Sequence, residues 1–385
     1  MNYFLTEEQQ MIQELAAKIA DEKIAPVALE YDELGKFPSD IVEILAASDL
    51  CGVYIPEEYG GLGGGVFEMS LVVEQLSRAC GGIALAFAGT GLGTYPILLF
   101  GTDEQKAKYL PDIAAGSKLS AFGLTEANAG SDAAGVQTTA VRDGDEYILN
   151  GTKQWITNGG EADIYTVIAC TNRAKGARGF SAFIVEKGAP GFSFGKKENK
   201  MGIRASATSE LVFEDCRIPK ENILAREGMG FIVAMKTLDR TRPGVAAQAL
   251  GIAQGAFDEA VKYSTQRVQF GKPICENQAV QHILADMAIQ IEASRALVYQ
   301  TCRVIDAGEK NFSKDSALCK VMASDTAMRV TTDAVQILGG YGYMKEYPVE
   351  KRMRDAKITQ IYEGTNQIQR NIIALELLKE LAAKS

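Results

Sequence analysis

The sequence predicts an α+β protein with a helical domain, a β domain and a second helical domain in that order. Three observations predict this order. The chain has 385 residues, which exceeds one typical hydrophobic core. Apolar residues recur at helical spacing at both ends, whereas short β-rich runs separated by turn-forming residues occupy the middle. We place the domains at residues 1–118, 119–230 and 231–385.

The N-terminal part is predicted to be helical from the spacing of its apolar residues. One stripe includes Ile12, Leu15, Ala16 and Ile19. This spacing of three and four residues places the side chains on one helix face. Further stripes follow around Ile41 and Leu71. No basic start or apolar leader is visible, and no stretch approaches the ~18 apolar residues of a membrane span, so we expect a soluble, cytoplasmic protein.

The middle part contains short runs rich in β-branched and aromatic residues. These runs are Tyr147–Leu149, Ile164–Ile168, Phe180–Val185 and Leu211–Phe213. They alternate with Gly, Asn, Asp and Pro, as strands alternate with turns. Asn150-Gly151 and Asn158-Gly159-Gly160 are predicted to be turns between strands.

The C-terminal part is predicted to form a bundle of long helices. The stripe Val245, Ala249, Ile252, Ala253, Ala256 and Ala260 is followed by another that runs from Ile283 to Leu297. Alanine-rich stripes allow helices to pack closely. Pro243 is interpreted as marking a helix start, where proline costs no hydrogen bond.

Composition excludes several classes of function. The formal net charge is −9, which disfavours a nucleic-acid surface. Seven cysteines are scattered without a C-x-x-C pair, which indicates reduced thiols and no zinc site. The only histidine, His282, is expected to be a polar residue within a helix, so no multi-histidine metal site or His-based triad is expected.

Fingerprints of nucleotide binding are missing as well. The chain has no G-x-x-x-x-G-K-[ST] motif, and no glycine cluster completes G-x-G-x-x-G after a strand. A redox cofactor, if present, is therefore not held in a Rossmann crevice.

The segment Ile361–Arg370 places a carboxylate, Glu363, before a Gly-Thr-Asn turn. Glycine and asparagine permit a tight reversal, so the carboxylate can project from a rigid corner. Taken alone, a glutamate before Gly-Thr-Asn is usually a solvated residue at a helix start. The segment resembles the catalytic-base turn of acyl-CoA dehydrogenases of the short- and medium-chain type. This resemblance implies the acyl-CoA dehydrogenase fold, with a middle β-barrel or sandwich domain and a C-terminal four-helix bundle.

Two segments of the β domain carry the same resemblance. Phe122–Asp132 resembles the flavin loop of the family, although Ala127 stands where the family commonly has proline. The only tryptophan, Trp155, precedes Ile156 and Thr157 as in the family, where the matching threonine donates to flavin N5. The resemblance implies FAD as cofactor, with contacts from Phe122, Leu124, Thr125, Gly130, Ser131, Trp155, Ile156 and Thr157.

Further matches lie in the helical bundle. The segments around Arg267 and Gln336 resemble residues that reach a flavin bound by a neighbouring subunit, which implies a homotetramer. The FAD contacts expected from this part are Arg267, Phe270, Gln278, Gln336, Ile337, Gly339, Gly340, Thr365, Asn366 and Gln367. The expected acyl-CoA contacts are Ser131, Asp239, Arg242, Tyr362 and Gly364, with Arg242 beside the catalytic carboxylate.

The resemblance implies α,β-dehydrogenation of an acyl-CoA to its trans-2-enoyl-CoA. Glu363 would remove the α-proton, flavin N5 would accept the hydride, and an electron-transfer flavoprotein would reoxidise the flavin. Thr241 occupies the position where isovaleryl- and long-chain relatives carry the base, and it cannot be one. A short-chain, butyryl-like substrate is favoured, with medium, branched or alicyclic acyl groups as alternatives. Enoyl-CoA reduction in the reverse direction and a flavin oxidase also remain open. A silent binding scaffold is disfavoured, because a binding protein needs no base and the chain retains Glu363, Arg242, Trp155 and Thr157 together.

Overall fold

The computed structural model describes residues 3–383. Its first part is helical, as predicted. The helices are α1 (Glu7–Ile19), α2 (Ala28–Leu34), α3 (Ser39–Ala47), α4 (Val66–Ala79), α5 (Gly81–Phe100) and α6 (Asp103–Ala114). Helices α1 and α6 begin with capping boxes, in which Thr6 and Thr102 accept hydrogen bonds from the third helical N–H.

Helix α5 corrects one expectation from the sequence. It is long and apolar enough to span a membrane by length and composition, with a mean hydropathy of 1.6. Its apolar window is 72% buried inside the molecule, however, which is typical of a core helix. The sequence-based statement that no stretch approaches this length was wrong, because Gly81–Phe100 lacks charged residues altogether.

The middle part is one sheet of eight strands. They are β1 (Ser120–Gly123), β2 (Thr139–Asp143), β3 (Glu146–Thr157), β4 (Ile164–Cys170), β5 (Phe180–Glu186), β6 (Phe192–Lys197), β7 (Thr208–Pro219) and β8 (Ile223–Leu224). The order is β6-β7-β3-β2-β4-β5-β8, and β1 pairs in parallel with β4. A single pair, Thr139 with Cys170, joins β2 to β4, so the sheet has two halves. Both halves contribute to one apolar cluster that includes Leu149, Tyr165 and Phe183.

All four β-rich runs lie in strands, but one predicted turn was wrong. Asn150-Gly151 lies inside β3, where the pairing with β7 shifts register between Leu149 and Gly151. The Asn150 side chain exchanges hydrogen bonds with Asp215 of β7 at 2.8 and 3.0 Å, so the pair forms a bulge instead of a turn. Asn158-Gly159-Gly160 does form the turn that follows β3.

The C-terminal part contains α7 (Gly230–Gln266), the hairpin β9 (Val268–Gln269) and β10 (Lys272–Pro273), α8 (Gln278–Asp306), α9 (Ser313–Leu338), α10 (Val349–Thr359) and α11 (Asn366–Ala382). The long helices α7, α8, α9 and α11 form the bundle, in which α9 packs against the other three. The boundary predicted between residues 118 and 119 lies in the linker between α6 and β1. The boundary predicted between residues 230 and 231 lies one residue inside α7.

The interpretation of Pro243 as a helix start was also wrong. Pro243 lies well inside α7, which is 37 residues long. An interior proline removes one helical hydrogen bond. The helix continues because nearly every residue around Pro243 is buried where α7 packs against α4 and α9. Tertiary packing therefore outweighs the local cost.

Candidate active site

A cavity of about 340 Å³ lies where α5, the loop after β1, the end of β3, α7 and the turn before α11 meet. Its walls are mainly apolar and include Met69, Leu85, Leu92, Met235, Leu238, Val245, Ile368 and Ile372. The predicted site residues that line it are Phe122, Leu124, Thr125, Gly130, Ser131, Trp155, Ile156, Thr157, Arg242, Tyr362, Glu363 and Gly364. The fold thus brings segments more than 200 residues apart into one cavity.

Glu363 lies on a turn whose backbone is in the left-handed region, with φ of +51° at Glu363 and +92° at Gly364. Its carboxylate accepts a hydrogen bond from Thr241 Oγ1 at 2.7 Å, and its carbonyl accepts from Arg242 Nε at 3.2 Å. Gln369 Nε2 donates to the same carbonyl at 3.1 Å. Within residues 3–383 the Glu363 N–H has no hydrogen-bond acceptor. The turn is therefore held from two helices while its N–H stays available.

Burial raises the pKa of Glu363 to about 7. The hydrogen bond from Thr241 and the positive charges of Arg242 and Lys320 oppose this shift without cancelling it. A carboxyl group with a pKa near 7 can accept a proton at neutral pH. The site therefore contains a carboxylate with the basicity of a general base at the edge of an apolar cavity.

Arg242 is positioned by a buried ion pair. Its Nη1 lies 2.7 Å from Asp239 Oδ1, and Ser313 donates to Asp239 Oδ2 at 2.5 Å. Asp239, an expected substrate contact, is not among the cavity-lining residues and lies behind Arg242. Tyr362 lines the cavity and donates its hydroxyl to Gln248 Oε1. These contacts fix the two side chains on either side of the carboxylate.

The loop after β1 is fixed by a buried lysine on β3. Lys153 is fully buried, and its Nζ lies 2.7 Å from Glu126 Oε1 and 3.1 Å from the Leu124 carbonyl oxygen. Burial lowers the pKa of Lys153 to about 8, against the charge of Glu126. Glu126 also accepts from Gln137 N at 2.6 Å and from both the N–H and hydroxyl of Thr138. This network connects the loop to the sheet that carries it.

Three hydroxyl side chains face the cavity without partners. Thr125, Ser131 and Thr157 line it, and none of their hydroxyls has a hydrogen bond in the described part of the chain. Thr157 packs against Gly89 of α5 so closely that a Cβ on Gly89 would lie 2.6 Å from Thr157 Cγ2. Trp155, with φ of +59° at the second irregularity of β3, is 53% exposed at the edge. The wall therefore offers unpaired donors beside an accessible indole ring.

A second group of predicted residues lies apart from this cavity. Arg267, Ile337, Gly339 and Gly340 line a pocket of about 490 Å³, in which the Arg267 guanidinium lies 5.4 Å from the Tyr341 ring centre. Phe270 is 98% exposed at the tip of the β9–β10 hairpin. Gln278 and Gln336 do not line either pocket.

The remaining predicted cofactor contacts lie at the start of α11. Thr365 caps this helix by accepting from Ile368 N at 3.3 Å, and Gln367 is exposed. Asn366 is buried, and its side chain is bonded to Lys320, Ser324 and Asp325 of α9. The Asn366 side chain thus anchors the turn formed by Glu363 and Gly364 to the bundle.

Sequence reasoning missed several residues that shape the site. Gln248 and Lys320 carried no motif, and Thr241 was considered only as a missing base. Lys153 stands next to the recognised Trp155 segment, but its burial was not foreseen. The spacing of these residues gives no signal, because their partners lie far away in the sequence.

Comparison with known proteins covers nearly the whole chain. Residues 6–117, 121–216 and 228–378 match the N-terminal, middle and C-terminal domains of acyl-CoA dehydrogenase. The chain is 52% identical to butyryl-CoA dehydrogenase from Megasphaera elsdenii, with a TM-score of 0.96 over 98% of this chain and 100% of that one. It is 50% identical to acryloyl-CoA reductase (NADH) from Anaerotignum propionicum over 98% of this chain and 96% of the relative.

A third match is a chain in the solved structure described as the electron transferring flavoprotein of Acidaminococcus fermentans. That chain is 53% identical, with a TM-score of 0.96 over 98% of this chain and 100% of that one. The three domain matches and the relatives at 50% identity or more agree with the fold and with the predicted family. This chain belongs to the acyl-CoA dehydrogenase family, whose members are flavin-dependent oxidoreductases.

Proposed function

We propose that this enzyme dehydrogenates a short-chain acyl-CoA thioester to the trans-2-enoyl-CoA, with Glu363 as the base that removes the α-proton. The observation that carries the proposal is the geometry of Glu363. Its carboxylate lies at an apolar cavity and has a pKa of about 7, and its own N–H has no acceptor among residues 3–383. Similarity to a butyryl-CoA dehydrogenase supports the short-chain substrate.

The cofactor we propose is FAD. The unpaired hydroxyls of Thr125, Ser131 and Thr157 on one cavity wall are the kind of donors that the carbonyls and N5 of a flavin ring accept. Trp155 beside them offers an aromatic face to the ring edge. When bound, FAD supplies the acceptor for the hydride that leaves the β-carbon.

The protein residues perform the remaining chemistry. Glu363 takes the α-proton, and its carboxylate is held by Thr241 before substrate binds. The Glu363 N–H is placed to donate to the thioester carbonyl oxygen, which makes the α-proton more acidic. The apolar wall excludes water, so the basicity of the carboxylate is kept during the reaction. Arg242 fixes the carbonyl of the same residue and so orients the turn.

The cavity wall also supports a small acyl group. Leu85, Leu92 and Met69 enclose the part that lies beside Ala88 and Gly89 of α5. No arginine lines the cavity on the α5 side, so a substrate carboxylate would find no partner there. A butyryl-like group is therefore favoured, with branched or alicyclic acyl groups as alternatives.

We further propose a homotetramer that works in the cytoplasm with an electron-transfer flavoprotein. The fully exposed Phe270 and the separate pocket around Arg267 support a flavin shared between subunits, because they do not face the chain's own cavity. A matching chain in the structure described as an electron transferring flavoprotein supports that partner. All seven cysteines are free thiols, which agrees with a reducing compartment.

A second candidate is reduction of a short 2-enoyl-CoA by the same residues in reverse. The 50% identity to an acryloyl-CoA reductase favours it specifically. In that direction, protonated Glu363 would return the proton to the α-carbon, and its pKa of about 7 serves either direction.

The proposal is tested by mixing FAD-loaded protein with butyryl-CoA without oxygen and following the flavin absorbance. We expect bleaching in the wild type and none in Glu363→Gln at equal FAD content. Glu346→Gln, which changes an exposed carboxylate, is the matched control and should bleach as the wild type does. If the wild type holds FAD but no saturated acyl-CoA bleaches it, dehydrogenation is refuted. If, in addition, crotonyl-CoA restores the flavin absorbance of chemically reduced enzyme, the reductase is favoured.

A further inference from the structure

Lys320 of α9 is a buried cation that the proposed mechanism does not use. Its exposure is 0%, and it forms no ion pair within residues 3–383. Its Nζ donates to the Gly364 carbonyl and to Asn366 Oδ1, each at 2.9 Å. It does not line the cavity. An ammonium is rarely buried without a carboxylate. The position of Lys320 directly behind the turn formed by Glu363 and Gly364 (the base turn) therefore requires an explanation.

The contacts of Lys320 complete a clamp on the turn. The two successive carbonyls of Glu363 and Gly364 accept from side chains on three helices: Arg242 of α7, Lys320 of α9 and Gln369 of α11. A glutamate in the left-handed region is held there only when its surroundings fix it. Because Lys320 donates a hydrogen bond to the Gly364 carbonyl, it helps to orient the peptide groups that present the carboxylate and N–H of Glu363.

The charge of Lys320 also acts on the carboxylate. Burial lowers the pKa of Lys320 to about 7, and the charge of Glu363 opposes this. The charged groups that face Lys320 are Glu363 of the turn, Arg242 of α7 and Asp325 of α9 itself. Arg242 is already paired with Asp239, and Asp325 with Arg370. Lys320 is thus the nearby cation whose charge is not neutralised by another carboxylate.

We propose that Lys320 is a positioning residue for proton transfer, which fixes the base turn through the Gly364 carbonyl and favours the ionised form of Glu363 through its charge. This inference rests on the proposed role of Glu363 as the base. It extends that role to a residue that touches neither the substrate nor the cofactor.

The test compares Lys320→Met, which removes charge and donor, with Lys320→Gln, which removes the charge and keeps an N–H donor. The pH dependence of flavin reduction by butyryl-CoA is followed in both. We expect the rising limb, governed by Glu363, to move up by about one pH unit in both variants. The rate at the maximum of the pH profile should fall about tenfold in Lys320→Met and less in Lys320→Gln, because the turn keeps a donor in the latter.

Thr331→Val is the matched control on the same helix. It removes a buried hydroxyl that donates to the Ala327 carbonyl at 2.7 Å, far from the turn. It should lower the melting temperature without moving the pH profile, which separates a positioning role from loss of stability. Infrared spectroscopy gives the pKa of Glu363 without turnover. The signal followed against pH is the protonated carboxyl band that the wild type shows and Glu363→Gln lacks.

The outcomes distinguish the two proposals. If the wild type binds FAD but butyryl-CoA does not reduce the flavin, the proposed function itself is refuted. Wild type that is reduced, with both Lys320 variants unshifted in the infrared and kinetic profiles, refutes only the role of Lys320. If Lys320→Met does not fold, Lys320→Gln still decides, because an unshifted profile in that variant overturns the electrostatic role.

Discussion

Substitution of Glu126 by glutamine tests whether the buried ion pair with Lys153 supports the cofactor wall. Glu126 Oε1 accepts from Lys153 and from Thr138, while Oε2 accepts from Gln137 N at 2.6 Å. Burial raises the pKa of Glu126, but the charge of Lys153 and the hydrogen bonds outweigh it and hold the pKa below its usual value. An amide has one acceptor oxygen. The NH₂ group of the new glutamine would therefore face either Lys153 or the Gln137 N–H. Both groups are donors, so one hydrogen bond would be lost.

Breaking a buried pair from one side costs about 3–5 kcal/mol, because the remaining charge is left without a partner. Glu126 keeps slight solvent access, with 8% of its side chain exposed, so we expect about 3 kcal/mol for Glu126→Gln. In thermal denaturation this should lower the Tm by about 4 °C, and FAD should dissociate more readily. A Tm within about 1 °C of the wild type would show that the pair behaves like a surface pair and would refute the reasoning.

The matched control for this experiment is Glu33→Gln. Glu33 pairs with Lys345 at 2.9 Å, a comparable distance, but both side chains are largely exposed. The same chemical change should therefore leave the Tm and FAD retention unchanged. The two pairs differ in burial and in the hydrogen bonds that Glu126 accepts from Gln137 and Thr138, so the contrast gives the cost of disrupting the buried network as a whole.

Two further substitutions probe the base and the opposite wall. Thr241→Val removes the 2.7 Å hydrogen bond that favours the ionised carboxylate, so the pKa of Glu363 should rise above 7. In a profile of kcat/KM against pH, the rising limb should move upward by less than about one pH unit. A limb that stays in place or moves downward would contradict this. Gly89→Ala places a methyl group 2.6 Å from Thr157 Cγ2, which must displace the neighbouring hydroxyl, so flavin reduction at saturating butyryl-CoA should slow about tenfold. Gly244→Ala, whose methyl group meets nothing within 4 Å, should instead raise stability by about 0.5–1 kcal/mol in thermal denaturation, which shows that alanine in a helix is not itself harmful.

The fold was predictable from the sequence where burial and local pattern agree. The run around Tyr147 is a strand whose side chains alternate against the core, and the run around Ile164 is a strand buried on both faces, as their β-branched and aromatic composition indicates. Asn150-Gly151 and Pro243 were misread for the same physical reason. Each carries a strong local signal, but the bulge against β7 and the burial of α7 decide the outcome through contacts distant in sequence.

The site was predictable only where its residues belong to contiguous motifs. Glu363 and Thr157 lie within such segments, and both line the cavity. Thr241, Gln248 and Lys320 act through a hydroxyl, an amide and an ammonium that meet their partners after packing. Hydrogen bonds of this kind depend on distances below about 3.2 Å between groups that have no common pattern in the sequence, so neither periodicity nor spacing reveals them.

The two walls of the cavity share a device that explains why both contain a buried lysine. The loop after β1 and the base turn are irregular, so their carbonyl groups lack the partners that a helix or strand supplies. Lys153 donates to the Leu124 carbonyl in the loop, and Lys320 donates to the Gly364 carbonyl in the turn. An ammonium offers three donors and can satisfy carbonyl and side-chain acceptors together.

Burial lowers the pKa of Lys153 to about 8 and that of Lys320 to about 7. Each of these two braces therefore weakens as its lysine loses its proton. Since Glu363 must lose its proton to act as a base, the pH range in which the base is ionised and both braces are charged is narrow. These pKa values predict that activity rises through about pH 7 as Glu363 loses its proton and declines above about pH 8, where Lys153 loses its proton and the loop after β1 loosens.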